Sequence, residues 1–88
     1  MNQKELDIAF TNAVKNINAH TDPFPADVLL KLYAYYKRAT NDPSSPGSSN
    51  PLINAFKTNA LFQISDISTN EAKRVYIETV KQYFLYRK

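Results

Sequence analysis

The sequence predicts an all-α fold, a single bundle of four helices. Apolar residues recur at three- and four-residue spacing in four separate segments, and no segment has the strict alternation of a half-buried strand. The chain has 88 residues, which leaves room for one domain with a simple core. It contains no cysteine, so neither a disulfide framework nor a thiolate zinc site supports the fold. Apolar packing between helices therefore has to stabilise it.

The first two helices are predicted from apolar stripes on either side of a proline-containing loop. The first helix runs from about residue 3 to 19 and the second from about 26 to 41. Pro23 and Pro25 separate them, because a proline disfavours helical dihedral angles in the residue before it. The residues of the two stripes are Leu6, Ala9, Phe10, Ala13, Val14 and Ile17, and then Val28, Leu29, Leu32, Tyr33, Tyr36 and Ala39.

The third and fourth helices follow a segment with no helical character. Residues 41–50 hold two prolines, four serines and the only glycine, so we expect a mobile loop there. The third helix, predicted over about 51–64, opens at a proline, and its inward apolar stripe is predicted to hold Leu52, Ile53, Phe56, Ala60 and Ile64. Ser68 and Glu71 form a capping-box pattern that starts the fourth helix, predicted over about 69–86. Because the loop is long enough to cross the bundle, periodicity alone leaves the topology open.

The composition excludes several kinds of site. A single glycine, Gly47, rules out a glycine-rich phosphate loop, so side chains have to hold any phosphate. A single histidine, His20, rules out a His-rich metal cluster, and its polar neighbours indicate a solvated residue at a helix end. The serines are concentrated in the predicted loop and form no nucleophile–base pattern with His20. We therefore expect no catalytic residues, no metal site and no cofactor.

The net charge of +3 favours an anionic partner without naming one. Nucleic acid, anionic lipid and a phosphorylated metabolite are all compatible with that charge. A nucleic-acid binder is the weaker interpretation, because the charges are dispersed over all helices and neither an RNA-recognition motif nor a basic arm is present. The N-terminus lacks a basic region followed by an apolar run, and no uncharged stretch approaches about 18 residues, so we expect a cytoplasmic chain without stable membrane insertion.

The most informative cluster is formed by Tyr33, Tyr36 and Lys37, whose spacing places them on one side of the second helix. Two phenols and an ammonium group suit a phosphorylated aromatic ligand, since a ring can stack on a base while a hydroxyl and a lysine bind phosphate. The alternative is that the tyrosines belong to the core and that Lys37 only favours the negative end of the helix dipole. Lys57 and Tyr76, on the next two helices, leave the same two interpretations open.

The segment LLKLYAYYKRAT, residues 29–40, resembles the second-helix signature of the acyl-CoA-binding protein family, Leu-x-x-Tyr-x-x-Tyr-Lys-Gln-Ala-Thr. Arg38 stands where the family usually has glutamine. The resemblance extends over nearly the whole chain, because further family landmarks occur in order. They are Phe10 and Ala13, Pro46-Gly47, Lys57, Ser68, Glu71-Ala72 and Val75-Tyr76-Ile77-Glu78.

This resemblance implies an up-down-down-up four-helix bundle that binds medium- to long-chain fatty acyl-CoA without catalysis. It implies an intracellular carrier and pool former, and it suggests a monomer. It assigns the 3′-phosphate region to Tyr33, Lys37 and Lys57, and the adenine and the rest of the nucleotide site to Tyr36 and Tyr76. The acyl tail needs an apolar groove, because each buried methylene contributes about 0.8 kcal/mol. The candidate groove residues are Phe10, Ala13, Val14, Leu29 and Leu30.

Two features depart from the family pattern. Thr58 and Leu61 occupy the places of a tryptophan pair that is typical of the third helix, and Asn18 stands where many members carry a lysine. Lys15, one turn earlier, is a candidate substitute for that lysine. The alternative function is that of a divergent helical bundle that serves protein–protein interaction.

Overall fold

The computed structural model describes residues 1–21, 24–41 and 51–86, and within them every regular element is an α-helix, as predicted. Of the predicted mobile loop over 41–50, all but Asn41 lies outside the described residues. The helices are α1 (Gln3–Ala19), α2 (Ala26–Ala39), α3 (Pro51–Gln63) and α4 (Thr69–Tyr86).

Local hydrogen bonds define the helix ends. Asn2 caps α1, since its side-chain oxygen accepts a hydrogen bond from the backbone N–H of Glu5 at 2.8 Å. Ser68 caps α4 in the same way, with the N–H of Glu71 donating to its hydroxyl oxygen at 3.0 Å. The end of α2 comes two residues before the predicted one, because Asn41 takes the left-handed conformation, with φ of 54°, that commonly follows a helix.

α1 and α4 run in the same direction. At their N-terminal ends the side-chain amides of Gln3 and Asn70 exchange two hydrogen bonds, of 3.0 and 2.8 Å. One turn further along, the Lys73 ammonium group lies 2.7 Å from the Asp7 carboxylate. At the other end of the pair, the ring of His20 contacts aromatic residues in the last turns of α4. The two helices are therefore parallel and in register along their length.

α2 runs antiparallel to α4, and α3 has the direction of α2. Arg38, near the end of α2, bonds to the carbonyl of Ile67 just before α4 begins. Phe24, just before α2, has its ring 4.8 Å from that of Tyr83 near the end of α4. Because α3 ends at Gln63, close in sequence to Ile67, its C-terminal end lies beside that of α2. The helices thus have the predicted up-down-down-up topology.

The core is formed by three of the helices, α1, α2 and α4. Ala72 is fully buried, and Tyr76 and Val80 follow it at helical spacing on the inward face of α4. Among the described residues, α3 packs against α2 alone, and no residue of α3 is buried. The buried cluster contains Phe10, Ala13, Leu32, Ala39, Ala72, Tyr76 and Val80.

α3 keeps much of its apolar surface exposed. Helical spacing predicts an inward stripe with Leu52 and Phe56, but these residues are 61 % and 48 % exposed, and Phe62 is 77 % exposed. The physical reason is that a helix at the rim of a bundle has one neighbour and buries one narrow face, whereas apolar residues surround α3 on several sides.

His20 is half-buried, and the prediction of a solvated residue is wrong. Its backbone N–H donates to the carbonyl of Ile17 at the end of α1. Its ring lies 4.9 Å from that of Phe24 and 5.1 Å from that of Phe84, with Tyr83 at 5.9 Å. The polar neighbours of His20 in the sequence do not predict this environment, because the fold places Phe24 against the C-terminal end of α4.

Candidate functional site

Two lysines flank the ring of Tyr33. The ammonium nitrogen of Lys37 is 5.6 Å from the ring centroid and that of Lys57 is 4.8 Å from it, both within the range of a cation–π contact. Lys37 follows Tyr33 by one turn of α2, whereas Lys57 comes from α3. The structure therefore brings these three residues together, and we call them the Tyr33 cluster.

The Tyr33 cluster is partly buried, with Lys37 and the hydroxyl of Tyr33 as its buried groups. Lys37 is only 7 % exposed, although removing an ammonium group from water is costly unless other groups compensate. The hydroxyl oxygen of Tyr33 is also buried, and it has no hydrogen-bond partner in the described part of the chain. Leaving such a group unsatisfied costs roughly 1 to 3 kcal/mol. An anion placed here would accept hydrogen bonds from the hydroxyl and both ammonium groups, and these charge-assisted bonds are the stronger kind.

Tyr36 presents an aromatic face beside this cluster. Its ring is 40 % exposed and stacks on the ring of Phe10 from α1, with a centroid distance of 6.1 Å and an interplanar angle of 23°. Tyr76 supports both rings from below, at 5.1 Å from Phe10 and 6.3 Å from Tyr36. A half-exposed ring that is fixed from behind can stack on a flat aromatic group such as a nucleobase.

Tyr76 connects the site to the core. It is 3 % exposed, and burial raises the pKa of its hydroxyl to about 12, with a further contribution from the neighbouring Tyr36. The phenol is therefore neutral near pH 7 and keeps its capacity to donate a hydrogen bond. The same side chain thus packs the core and presents a polar tip beneath Tyr36.

Two of the candidate groove residues line different cavities in the described part of the chain. Ala13 lines a shallow groove of about 920 Å³ between α1 and α4, whereas Leu30 lines a cleft of about 380 Å³ between α2 and α3. Phe10 and Val14 belong to the core and its margin. Leu29 is 48 % exposed, one turn before Tyr33 on α2. The grouping of these five residues as one acyl groove stays a prediction.

The residues that replace the family pattern are at the surface. Thr58 and Asn18 are exposed and Leu61 is half-buried. Lys15 is exposed as well, and it lines a shallow groove along α1 together with Asp7 instead of joining the Tyr33 cluster. Its role as a substitute for the missing lysine stays a prediction.

Sequence reasoning missed two long-range contacts. Arg38 donates its Nε–H to the carbonyl of Ile67 at 2.6 Å, and the only sequence signal is its departure from the family glutamine. Lys73 pairs with Asp7 across the α1–α4 interface. Its hydrogen bond, with a second one from Gln3, lowers the pKa of the Asp7 carboxyl below the ordinary value. No local pattern encodes either contact.

Two further properties bear on the kind of site. Within residues 1–21, 24–41 and 51–86, histidine and carboxylate side chains do not gather in a group of three or more that would suit a metal ion. In that same part of the chain, no helix combines the length and the apolar character needed to cross a bilayer.

Comparisons with known proteins agree with this geometry. A family model described as acyl CoA binding protein matches residues 7–80. Acyl-CoA-binding domain-containing protein 5 of Mus musculus is 36 % identical over 59 residues, covering 64 % of this chain and 11 % of the relative. The protein of the same name from Bos taurus is 34 % identical over 59 residues with the same coverage. The chain therefore spans about a ninth of the length of these curated relatives.

A solved structure is similar over almost the whole chain. It is the crystal structure of Oryza sativa Acyl-CoA-Binding Protein 2, which superposes with a TM-score of 0.78 at 27 % sequence identity. The match covers 93 % of this chain and 91 % of the rice chain, so all four helices and their arrangement are shared.

Proposed function

Because the chain belongs to the acyl-CoA-binding protein family, we propose that it binds medium- to long-chain fatty acyl-CoA thioesters without transforming them. The observation that carries the proposal is the Tyr33 cluster, in which a buried lysine and a buried hydroxyl face a second lysine from another helix. Such a group of donors matches the 3′-phosphate of coenzyme A, which is dianionic or nearly so at neutral pH.

The adenine of the ligand would stack on Tyr36. Its exposed ring is held by Phe10 and Tyr76, so little side-chain freedom is lost on binding. Tyr36 lies one turn from the Tyr33 cluster on the same face of α2, which suits a phosphate and a base that belong to one nucleotide. Tyr76 would contribute its hydroxyl from below.

The acyl tail would follow apolar surface that begins near this nucleotide site. Leu29 is exposed one turn before Tyr33, and the cleft between α2 and α3 is lined by Leu30, Phe56 and Ala60. Each methylene that the tail buries adds about 0.8 kcal/mol, so affinity should rise with chain length until the apolar surface is used up. This dependence favours medium- and long-chain ligands over short ones.

We further propose that the protein acts as a carrier and pool former, as a cytoplasmic monomer that does not bind nucleic acid or insert stably into membranes. The Tyr33 cluster consists of phenol and ammonium groups, which can hold an anion but do not form a nucleophile–base pair. Binding without chemistry is the function that suits these side chains.

Isothermal titration of the purified protein with palmitoyl-CoA tests this proposal. We expect one-to-one binding of the thioester, with much weaker heats from free coenzyme A and from palmitate, because each control offers only half of the contacts. Release of coenzyme A from palmitoyl-CoA during the titration would contradict a binding-only function. Absence of binding at micromolar ligand would contradict the proposal as a whole.

One observation favours the alternative, a bundle that serves protein–protein interaction. Leu52, Phe56 and Phe62 are exposed on α3, and exposed apolar side chains are common at protein interfaces. If this alternative holds, palmitoyl-CoA gives no heat, and replacing Phe62 with serine changes association in sedimentation velocity. If the acyl-CoA proposal holds, the Phe62→Ser variant sediments like the wild type as a monomer.

A further inference from the structure

α3 supplies Lys57 to the proposed site, yet it lies at the rim of the bundle and outside the three-helix core. It packs against α2 alone among the described residues, and none of its residues is buried. A cleft of about 380 Å³ also lies along its interface with α2, which indicates incomplete packing. The distance between Lys57 and Tyr33 therefore depends on whatever fixes the position of α3.

Arg38 makes a strong contact at the C-terminal end of α3. Its Nε–H donates to the carbonyl of Ile67 at 2.6 Å in a part-buried position, and a charged donor makes such a bond stronger than a neutral one. The side chain of Ile67 packs against the core cluster. The bond therefore joins the end of α2, the start of α4 and the segment that leaves α3.

Hydrogen-bonded turns connect this contact to α3. The N–H groups of Ile64, Ser65 and Ile67 donate to the carbonyls three residues earlier, each at 3.3 Å. This succession of tight turns directly follows α3 and reaches Ile67. Fixing the carbonyl of Ile67 consequently fixes the end of α3, and through this rigid helix it fixes the side of α3 that carries Lys57.

We propose that Arg38 is a positioning residue for acyl-CoA binding, which holds α3 so that Lys57 stays over Tyr33. The inference rests on the proposed function and adds to it a residue outside the Tyr33 cluster. Arg38 stands where the family usually has glutamine, a neutral side chain whose hydrogen bond is weaker. Replacing it with glutamine is thus the natural variant to test.

The first measurement needs no ligand. Amide hydrogen exchange is followed by mass spectrometry in the wild type, in Arg38→Gln and in the matched control Arg74→Gln, which removes an exposed arginine of α4. We expect exchange over residues 51–63 to become about five- to tenfold faster in Arg38→Gln, while α1 and Arg74→Gln stay as in the wild type. Equal acceleration in α1 and α3 would mean a general loss of stability and would overturn the inference.

The second measurement is a double-mutant cycle of palmitoyl-CoA affinity with Arg38→Gln and Lys57→Ala. We expect Arg38→Gln to weaken binding about fivefold in the wild-type background and to have almost no effect when Lys57 is already alanine. A residue that only stabilises the fold would weaken binding equally in both backgrounds. Equal loss in both backgrounds, or no loss in either, would overturn the inference.

The two proposals can fail separately. If the wild type does not bind palmitoyl-CoA, the proposed function fails, whereas an unaffected Arg38→Gln variant of a binding-competent protein contradicts only the positioning role. Arg38→Lys keeps a charged donor and takes the place of Arg38→Gln if the latter does not fold. In that case the same pattern of exchange and affinity is expected with smaller changes.

Discussion

Two pairs of neighbouring helices, α1 with α4 and α2 with α3, are held together by different contacts. Between α1 and α4, paired amides, a 2.7 Å salt bridge and buried apolar residues follow one another along the whole interface. Between α2 and α3, the structure has a cation–π contact and a cleft, and no residue of α3 is buried. The stability of the fold thus depends mainly on the core of α1, α2 and α4, whereas the Tyr33 cluster lies on the second pair.

This division has a physical cause. The hydroxyl of Tyr33 is buried without a hydrogen-bond partner in the described part of the chain, and this costs free energy in the folded protein. A ligand that accepts a hydrogen bond from this hydroxyl recovers that free energy on binding. The surrounding three-helix core must supply the stability that the site does not.

The largest effect is expected when matched leucines are truncated in the two regions. Leu32 is 5 % exposed in the core, and Leu32→Ala should lower the free energy of unfolding by about 2 to 5 kcal/mol. Leu52 on α3 is 61 % exposed, and Leu52→Ala should change it by less than about 0.5 kcal/mol. Urea unfolding followed by circular dichroism compares the two. Similar decreases in the free energy of unfolding for both variants would contradict the distinction between the core and α3.

The ionisation of Tyr76 should affect the core at high pH. Because its pKa is raised to about 12 in the folded protein, stability is complete below the ordinary tyrosine pKa near 10 and falls as the pH rises through 12. We expect a loss of about 2 kcal/mol over that window, beyond what other groups contribute, and Tyr76→Phe should remove it. Urea unfolding at several alkaline pH values measures this, and identical profiles for the two proteins would contradict the assigned pKa.

Removing either lysine of the Tyr33 cluster should weaken binding and leave the fold intact. Hydrogen bonds to charged groups contribute about 1.5 to 3 kcal/mol, so Lys37→Ala and Lys57→Ala should each raise the Kd for palmitoyl-CoA at least tenfold. Lys4→Ala, at an exposed position of α1, is the control and should bind like the wild type. Isothermal titration gives all three values. Unchanged affinity in both cluster variants would exclude this cluster as the phosphate site.

The smallest effect concerns the capping of α4. Ser68→Ala removes the oxygen that accepts the N–H of Glu71 and should cost about 1 kcal/mol of stability. Ser65→Ala, in the exposed turn just before it, should be nearly neutral and serves as the control. Thermal unfolding distinguishes the two. Equal melting temperatures would show that the cap contributes nothing measurable to the core region.

The helices could be predicted from periodicity and the topology from the family resemblance, but much of the packing could not be predicted. Helical spacing identifies an apolar face without naming its neighbour, so it predicts inward positions for Leu52 and Phe56, although α2 alone packs against α3 in the described part of the chain. The prediction of a solvated His20 is wrong because the fold brings the ring of Phe24 against the ring of His20.

The Tyr33 cluster was predictable in part. Local spacing predicts that Tyr33 and Lys37 share a face of α2, whereas only the family resemblance predicts that Lys57 belongs to the same site. The hydrogen bond from Arg38 to the carbonyl of Ile67 could not be predicted, because no local sequence pattern links an arginine to a backbone carbonyl in another segment. Contacts between distant segments are the part that periodicity does not encode.

Hydrogen exchange of the wild type with and without palmitoyl-CoA tests whether the ligand binds at the Tyr33 cluster and joins α3 to the core. We expect the ligand to slow exchange most over residues 51–63 and in α2 around Tyr33 to Lys37, because it contacts both helices there. The interface of α1 with α4 should change least. Protection confined to the groove between α1 and α4, or none at all, would contradict binding at the Tyr33 cluster.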